Sequence, residues 1–243
     1  MKSVGRLFVF CEGQTEETFT NLVLAPHFAG MCGVIAYPLL LPNRKGARER
    51  RRKGGWNSYR IARHFMTGIM EQHHRDGVWF TTLLDYYALP QDYPQPTSPA
   101  ASSPRGKVID LEKEMALDVT SDRLSRFTSH LQLLEFEALL LADVEMLIAE
   151  FPDRSREVGR LKAELAGLAP EDVDGGQETH PSMRIMRHIP EYEGLKASAG
   201  PILASRIGLP RLRETCPHFA GWLSELEQQL AATPFADQPE QAE

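Results

Sequence analysis

Residues 6–13 read RLFVFCEG, and residues 78–85 read VWFTTLLD. Each is an uninterrupted apolar run rich in β-branched and aromatic side chains, and each ends on a carboxylate, Glu12 or Asp85. Runs of this length without polar alternation are expected of strands buried on both faces, as in a parallel sheet covered by helices. After Glu12-Gly13-Gln14, Thr15 is expected to cap a helix with Glu16 and Glu17 in its first turn, ending near Leu24 before Pro26. A further strand is expected at residues 34–41, demoted to an edge by Pro38. Residues 58–72 carry helical apolar spacing at Ile61, Phe65 and Ile69. Residues 108–116 read as helix, residues 127–133 as a strand, and residues 135–141 as a helix behind it. Strands alternating with helices argue for an α/β fold with a mainly parallel sheet flanked by helices, whose ligands bind beyond the carboxyl ends of the strands.

From about residue 144 the pattern is helical, with segments expected at 144–150, 155–166, 182–188, 201–207 and 218–231. This divides the chain into an α/β core over residues 1–143, a helical C-terminal part over 144–232, and a polar, Pro-containing tail over 233–243 expected to be disordered.

Composition narrows the function classes. The 243 residues are 42% hydrophobic and 25% charged, which is enough to build a core without disulfides or structural metal. A net charge of -6 supplies no global basic field for nucleic acid, so such binding would need a local patch. Three widely separated cysteines, Cys11, Cys32 and Cys216, form no CxxC spacing and point to a reducing cytoplasm. The apolar run before Glu12 is too short for a signal peptide, and no stretch reaches the length of a membrane span. GxSxG, HExxH, P-loop and GxGxxG motifs are all missing.

What remains is a set of carboxylates on separate elements: Glu12, Glu16, Asp85, Glu135 and Glu137. Each has an ordinary alternative. Glu12 reads equally as a turn acid, and Asp85 as the cap of a following turn. Glu16 lies one turn after Glu12 and can share its cleft. Glu135 and Glu137 are two apart and cannot share one helix face. If they converge, carboxylates suit a hard cation such as Mg²⁺ or Mn²⁺, which acts on phosphoryl groups. His130 and Gln132 could flank such a site, with a satisfied structural role the first expectation for His130. A basic run, Arg44, Lys45, Arg48, Arg50, Arg51, Arg52 and Lys53, could contact phosphates, with neighbouring Trp56 and Tyr59 available for stacking on bases. The alternative is a solvated loop. Arg184 and Arg187 share a helix face and could bind phosphate or pair with acids.

Five stretches carry a family resemblance: FVFCEGQTEETF (8–19), TTLLDYYALPQDYP (81–94), HLQLLEFEALLLAD (130–143), HPSMRI (180–185) and IGLPRLRETCPHFAGWL (207–223). In order and spacing the chain resembles the DUF4276 family of prokaryotic proteins, regarded as distant relatives of TOPRIM domains. The resemblance implies a TOPRIM-like fold and a Mg²⁺-dependent nuclease or nuclease-like effector acting on nucleic-acid phosphodiesters. It also implies a partner ATPase of the ABC/SMC type in phage defence. Glu12 matches the glutamate after the first TOPRIM strand, and Asp85 the first aspartate of its DxD. Tyr87 stands where the second aspartate is expected, which leaves Glu135 or Glu137 to supply the missing acid. The same departure supports the alternative of a non-catalytic subunit that binds an ATPase or nucleic acid.

Replacing Arg50, Arg51 and Arg52 by Ala is expected to weaken nucleic-acid binding and to flatten its salt dependence, because fewer counterions are released. Binding titrations over a range of salt concentrations check this. An unchanged slope would assign the run to solvation.

Overall fold

The structure is a computed structural model that describes residues 5–42, 56–74, 77–87, 89–96, 103–120, 126–173, 176 and 178–232. The basic run at 44–53 and the tail at 233–243 lie outside the described residues.

Five parallel strands form the sheet: β1 (Arg6–Cys11), β2 (Ile35–Leu40), β3 (Val78–Asp85), β4 (Phe127–Thr128) and β5 (Leu131–Gln132). The order is β2-β1-β3-β4, with β5 also pairing β3 further along the same strand. The edge position expected for the Pro38 strand is observed. The strand expected over 127–133 is instead two short bridges. At the break the ladder is replaced by side chains. The Thr82 hydroxyl donates to the His130 carbonyl (2.9 Å) and accepts from the His130 amide (2.7 Å), and the Thr81 hydroxyl donates to the Thr128 carbonyl (2.6 Å).

The first helical stretch departs from expectation at both ends. Gly13, not Thr15, is the cap of α1 (Gln14–Phe19), because Glu16 Oε2 reaches back to accept the Gly13 amide at 2.8 Å. Pro26 does not end the helix. A π-helical turn over Thr20–Leu24 widens the coil, with the Ala25 amide donating to the Thr20 carbonyl, and α2 (Ala25–Cys32) continues with Pro26 in its first turn. Proline is tolerated there because its missing N–H falls where the regular ladder is already interrupted. The stretch stops at Gly33, whose φ of 67° is the left-handed cap that glycine adopts without strain.

Helices cover both faces. On one face, Phe8, Phe10, Phe80 and Leu84 pack against α3 (Tyr59–Gln72) and α4 (Pro104–Val119). The fully buried stripe of α3 is Tyr59, Ala62, Met66 and Met70. The expected stripe of Ile61, Phe65 and Ile69 is only half-buried beside it.

On the other face, Leu7, Val9, Cys11 and Leu83 share one core with α1, α2 and the helical C-terminal part. Following α5 (Glu137–Leu140), that part comprises α6 (Leu147–Glu150), α7 (Ser155–Glu164), α8 (Pro181–His188), α9 (Lys196–Thr215) and α10 (Pro217–Ala231). A 3-10 turn, Leu141–Met146, joins α5 to α6. α9 begins earlier than expected and contains a break at Gly208, just past the expected end of its first half. Among the described residues no helix is long and apolar enough to cross a membrane.

Two helical glycines give opposite expectations. A Cβ at Gly221 of α10 meets nothing within 4 Å, so Gly221→Ala should stabilise the protein by about 0.5–1 kcal/mol through helix propensity. A Cβ at Gly200 of α9 would stand 3.0 Å from the Tyr192 hydroxyl and 3.5 Å from Phe136. Tyr192 is fully buried and has nowhere to swing. Gly200→Ala should therefore destabilise by about 1–3 kcal/mol, as overpacking does. Denaturant titrations of the two variants check both signs.

Candidate metal centre

All strands run in parallel, so β1, β3 and β5 release their chains at one edge of the sheet. Cys11 pairs with Leu83, and the Glu12 amide donates to the Leu83 carbonyl at 3.3 Å. Glu12 Oε2 in turn accepts the Asp85 amide at 3.0 Å, across 73 residues of sequence. The β5 chain leaves through Leu134, a non-glycine residue at φ 67°, whose carbonyl accepts the Tyr87 amide at 2.7 Å. This left-handed turn costs about 1–2 kcal/mol and brings Glu135 and Glu137 round to the same edge.

Glu12, Glu16, Asp85, Glu135 and Glu137 line one cavity of about 360 Å³, together with Gly13, Gln14, Thr15, Phe136, Lys196 and Ala197. Gly13 is buried but has an ordinary extended φ of -149°, so its place here is not forced by backbone conformation.

The five acids divide into two kinds. Glu135 is engaged on both oxygens. Oε1 accepts from the Ser182 amide and contacts His180 Nδ1 at 2.9 Å, and Oε2 accepts the Ser182 hydroxyl at 3.1 Å. It anchors the N-terminus of α8 at the rim of the cavity. Glu137 is held more loosely, accepting the Tyr192 hydroxyl at 3.3 Å, with Lys196 Nζ at 3.8 Å. Asp85 Oδ1 is buried and has no hydrogen-bond partner.

Burial raises the pKa of four of these acids, and their mutual repulsion adds to it. Glu12 is pushed up to about 7 by burial and then by Glu135, against the hydrogen bond from the Asp85 amide. The Trp56 indole N–H, buried and without a hydrogen-bond partner, faces the same carboxylate and pulls the other way. Glu16 rises to about 8 through burial and the charge of Glu12. Glu137 rises to about 7 through burial and Glu135, although Lys196 opposes the shift. Asp85 rises well above the usual carboxylate range, first through burial and then through Glu12, Glu16, Glu137 and Glu135. A divalent cation would relieve this repulsion and give Asp85 Oδ1 the partner that it lacks, and an all-oxygen donor set is the chemistry of Mg²⁺ and Mn²⁺. The residues present therefore fit such an ion.

Several expectations are corrected here. Tyr87 does not enter the cavity; it is 42% exposed, with its ring 4.5 Å from the His180 ring. Trp56 and Tyr59 are buried in an aromatic cluster with Tyr93 and cannot stack on bases. Arg184 is nearly buried, donating to the Thr179 carbonyl at 2.6 Å and to Glu164 at 2.5 Å, so it is an internal salt bridge and not a phosphate ligand. Arg187 contributes to the same acid at 3.5 Å. His130 is buried with Nδ1 3.5 Å from Glu112 Oε1 and no hydrogen bond of good geometry at either ring nitrogen, so the structural role expected for it is only weakly satisfied. Lys196 and Tyr192 went unnoticed in the sequence because they lie more than fifty residues from the nearest cavity acid, Glu137, in a stretch between two expected helices.

Fold and cleft together define a parallel α/β protein with an acidic cavity at the carboxyl edge of its sheet. The chain belongs to the DUF4276 family, a domain of unknown function whose family model matches residues 11–227. No curated protein and no solved structure matches it.

Acids with raised folded-state pKa values bind protons more tightly in the folded protein than in the unfolded chain. Their contribution to stability is fully present below the ordinary value of 4.5 and is lost as pH rises through 7 to 8. The melting temperature of metal-free protein should therefore fall by several degrees between about pH 5 and pH 8.5, at about 2–4 °C per kcal/mol. Glu16→Gln should shrink this fall, because the amide can still accept from Gly13 but carries no charge. Calorimetry in chelator checks both. An identical pH profile in wild type and variant would refute the burial of a titrating Glu16.

Proposed function

We propose that this protein is a Mg²⁺-dependent phosphodiesterase acting on nucleic acid, a nuclease or nuclease-like effector. The observation that carries the reading is the convergence of Glu12, Glu16, Asp85 and Glu137 on one cavity, with Asp85 Oδ1 buried and unpartnered. These four would hold the metal, and Glu135 would fix the rim by anchoring α8. The bound ion would supply charge neutralisation at the phosphate and at the attacking and leaving oxygens. The chain's own groups do the rest. Lys196 offers an ammonium at the same cavity for a substrate phosphate, and the buried walls keep the carboxylates out of bulk water. In hydrolysis a water oxygen bonds to phosphorus as the ester P–O bond breaks. One water proton is accepted at a cavity carboxylate, and the leaving oxygen is protonated in turn.

The basic run supports a polyanionic substrate. The described residues on either side of segment 43–55 lie beside this cavity. Before it, the Leu41 amide donates to the carbonyl of Cys11, next to Glu12, at 2.9 Å; after it, Trp56 faces Glu12. A second reading, a non-catalytic subunit for an ATPase or nucleic acid, is favoured by Tyr87 in the place of an acid. On the first reading Glu137 supplies that missing charge.

In the test, purified protein is given Mn²⁺ or Mg²⁺ and single- or double-stranded DNA or RNA, alone and with an ABC/SMC-type ATPase. Asp85→Asn and Glu12→Gln should stay folded, lose the rise in melting temperature that metal gives wild type, and lose metal-dependent cleavage by about a hundredfold or more. Wild type that melts identically in Mn²⁺ and in chelator would remove the metal site. Stabilisation by metal without cleavage in any combination would leave the non-catalytic reading.

A further inference from the structure

Where β4 gives way to β5, helices from both faces of the sheet meet in a second cluster of ligating side chains, chemically unlike the cavity. Glu112 of α4, His130 at the break between β4 and β5, and His218 in the first turn of α10 bring one carboxylate oxygen and two imidazole nitrogens within 4.8 Å of one another. Glu112 Oε1 lies 2.9 Å from His218 Nε2 and 3.5 Å from His130 Nδ1. Around a tetrahedral ion with bonds of about 2.0–2.1 Å, donor atoms stand about 3.3 Å apart, so the two separations from Glu112 are close to those of such a shell, and the histidine nitrogens, within 4.8 Å of each other, would close on the ion to complete it.

The independent sign of a ligand is His130. It is fully buried, and neither nitrogen makes a hydrogen bond of good geometry; Nδ1 has only the 3.5 Å ion-pair contact with Glu112 Oε1. A buried imidazole so weakly partnered costs desolvation free energy that the protein would avoid unless something takes up its nitrogens. The ring cannot move away to find a partner. It is stacked against Trp222 at 4.3 Å and against His218 at 5.1 Å, and its backbone is bonded at both amide and carbonyl to Thr82. The other ligands are equally held. Glu112 Oε1 accepts the Leu131 amide at 2.7 Å, and Trp222 is pinned by its indole N–H donating to Thr81 at 2.8 Å. Gln132, whose Oε1 is also buried and unpartnered, stands beside the His130 ring, where it can orient the nitrogen that does not ligate.

We propose that Glu112, His130 and His218 form a second metal site, for a transition ion of the Zn²⁺ class. Two imidazoles with one carboxylate select such an ion over Mg²⁺, which prefers an all-oxygen shell. The three ligands come from a helix of one face, the interrupted strand and a helix of the other face. The ion therefore ties α4 and α10 to the sheet at the point where its backbone ladder fails.

Co²⁺ serves as the probe on full-length protein stripped with chelator. Wild type should bind one equivalent at this site with the intense visible absorption of a four- or five-coordinate, imidazole-ligated ion, and Zn²⁺ should displace it. Asp85→Asn should keep this spectrum. His218→Gln should weaken Co²⁺ binding by about a hundredfold or more while keeping the Mn²⁺ response of the acidic cavity. Wild type that shows only the faint absorption of six-coordinate Co²⁺ overturns the proposal, and this outcome needs no variant to fold. A spectrum and affinity unchanged in both His218→Gln and Glu112→Gln overturn it as well. Failure of the acidic cavity to bind Mn²⁺ would leave this site standing, since the two share no ligand.

Discussion

The hydrogen bond from the Asp85 amide to Glu12 Oε2 is the contact on which the rest of the site depends. It exists because β1 and β3 are parallel neighbours in a register that sets Cys11 beside Leu83. Side chains in a strand alternate between faces, so a shift of one residue in that register would turn the apolar set of β1 inside out. Such a slip would exchange Leu7, Val9 and Cys11 with Phe8 and Phe10 and break the stacking of both rings on Phe80, which opposes it. Core packing thus determines where the two carboxylates stand, and their repulsion is carried by the burial of both faces.

That repulsion is the price of the arrangement. Four acids forced towards neutrality by burial do not stabilise a fold; they are tolerated where something else is gained. The two kinds of acid in the cavity show the difference. Glu135 has its oxygens saturated by His180 and Ser182, as a structural carboxylate should. Asp85 leaves Oδ1 bare. The second cluster follows the same logic with nitrogen donors, for buried His130 makes no hydrogen bond of good geometry at either ring nitrogen. Each orphan stands among groups that share its preference for one type of ion, oxygen donors in one place and imidazoles in the other.

The strands ending in Glu12 and Asp85 were legible in the sequence because continuous apolar runs have one reading when a charge closes them. The family was legible in five stretches whose order spans most of the chain. Other features depend on contacts that local pattern does not encode. The π-turn before Pro26 and the break at Ser129–His130 are backbone adjustments set by what packs around them. Glu135 and Glu137 could not be given separate roles, because the difference lies in Ser182 and Tyr192, both about fifty residues away. Trp56 and Tyr59 read as surface aromatics beside a basic run, yet Tyr93 buries them from a third segment.

The central claim is that the acids at the carboxyl edge of the sheet are ligands. A crystal of the protein soaked in Mn²⁺ tests it most directly through the anomalous signal of the metal. The account predicts a peak in the cavity within bonding distance of Asp85 Oδ1 and of at least one of Glu12, Glu16 and Glu137. A cavity without a peak at saturating Mn²⁺, with its carboxylates unmoved, would contradict it.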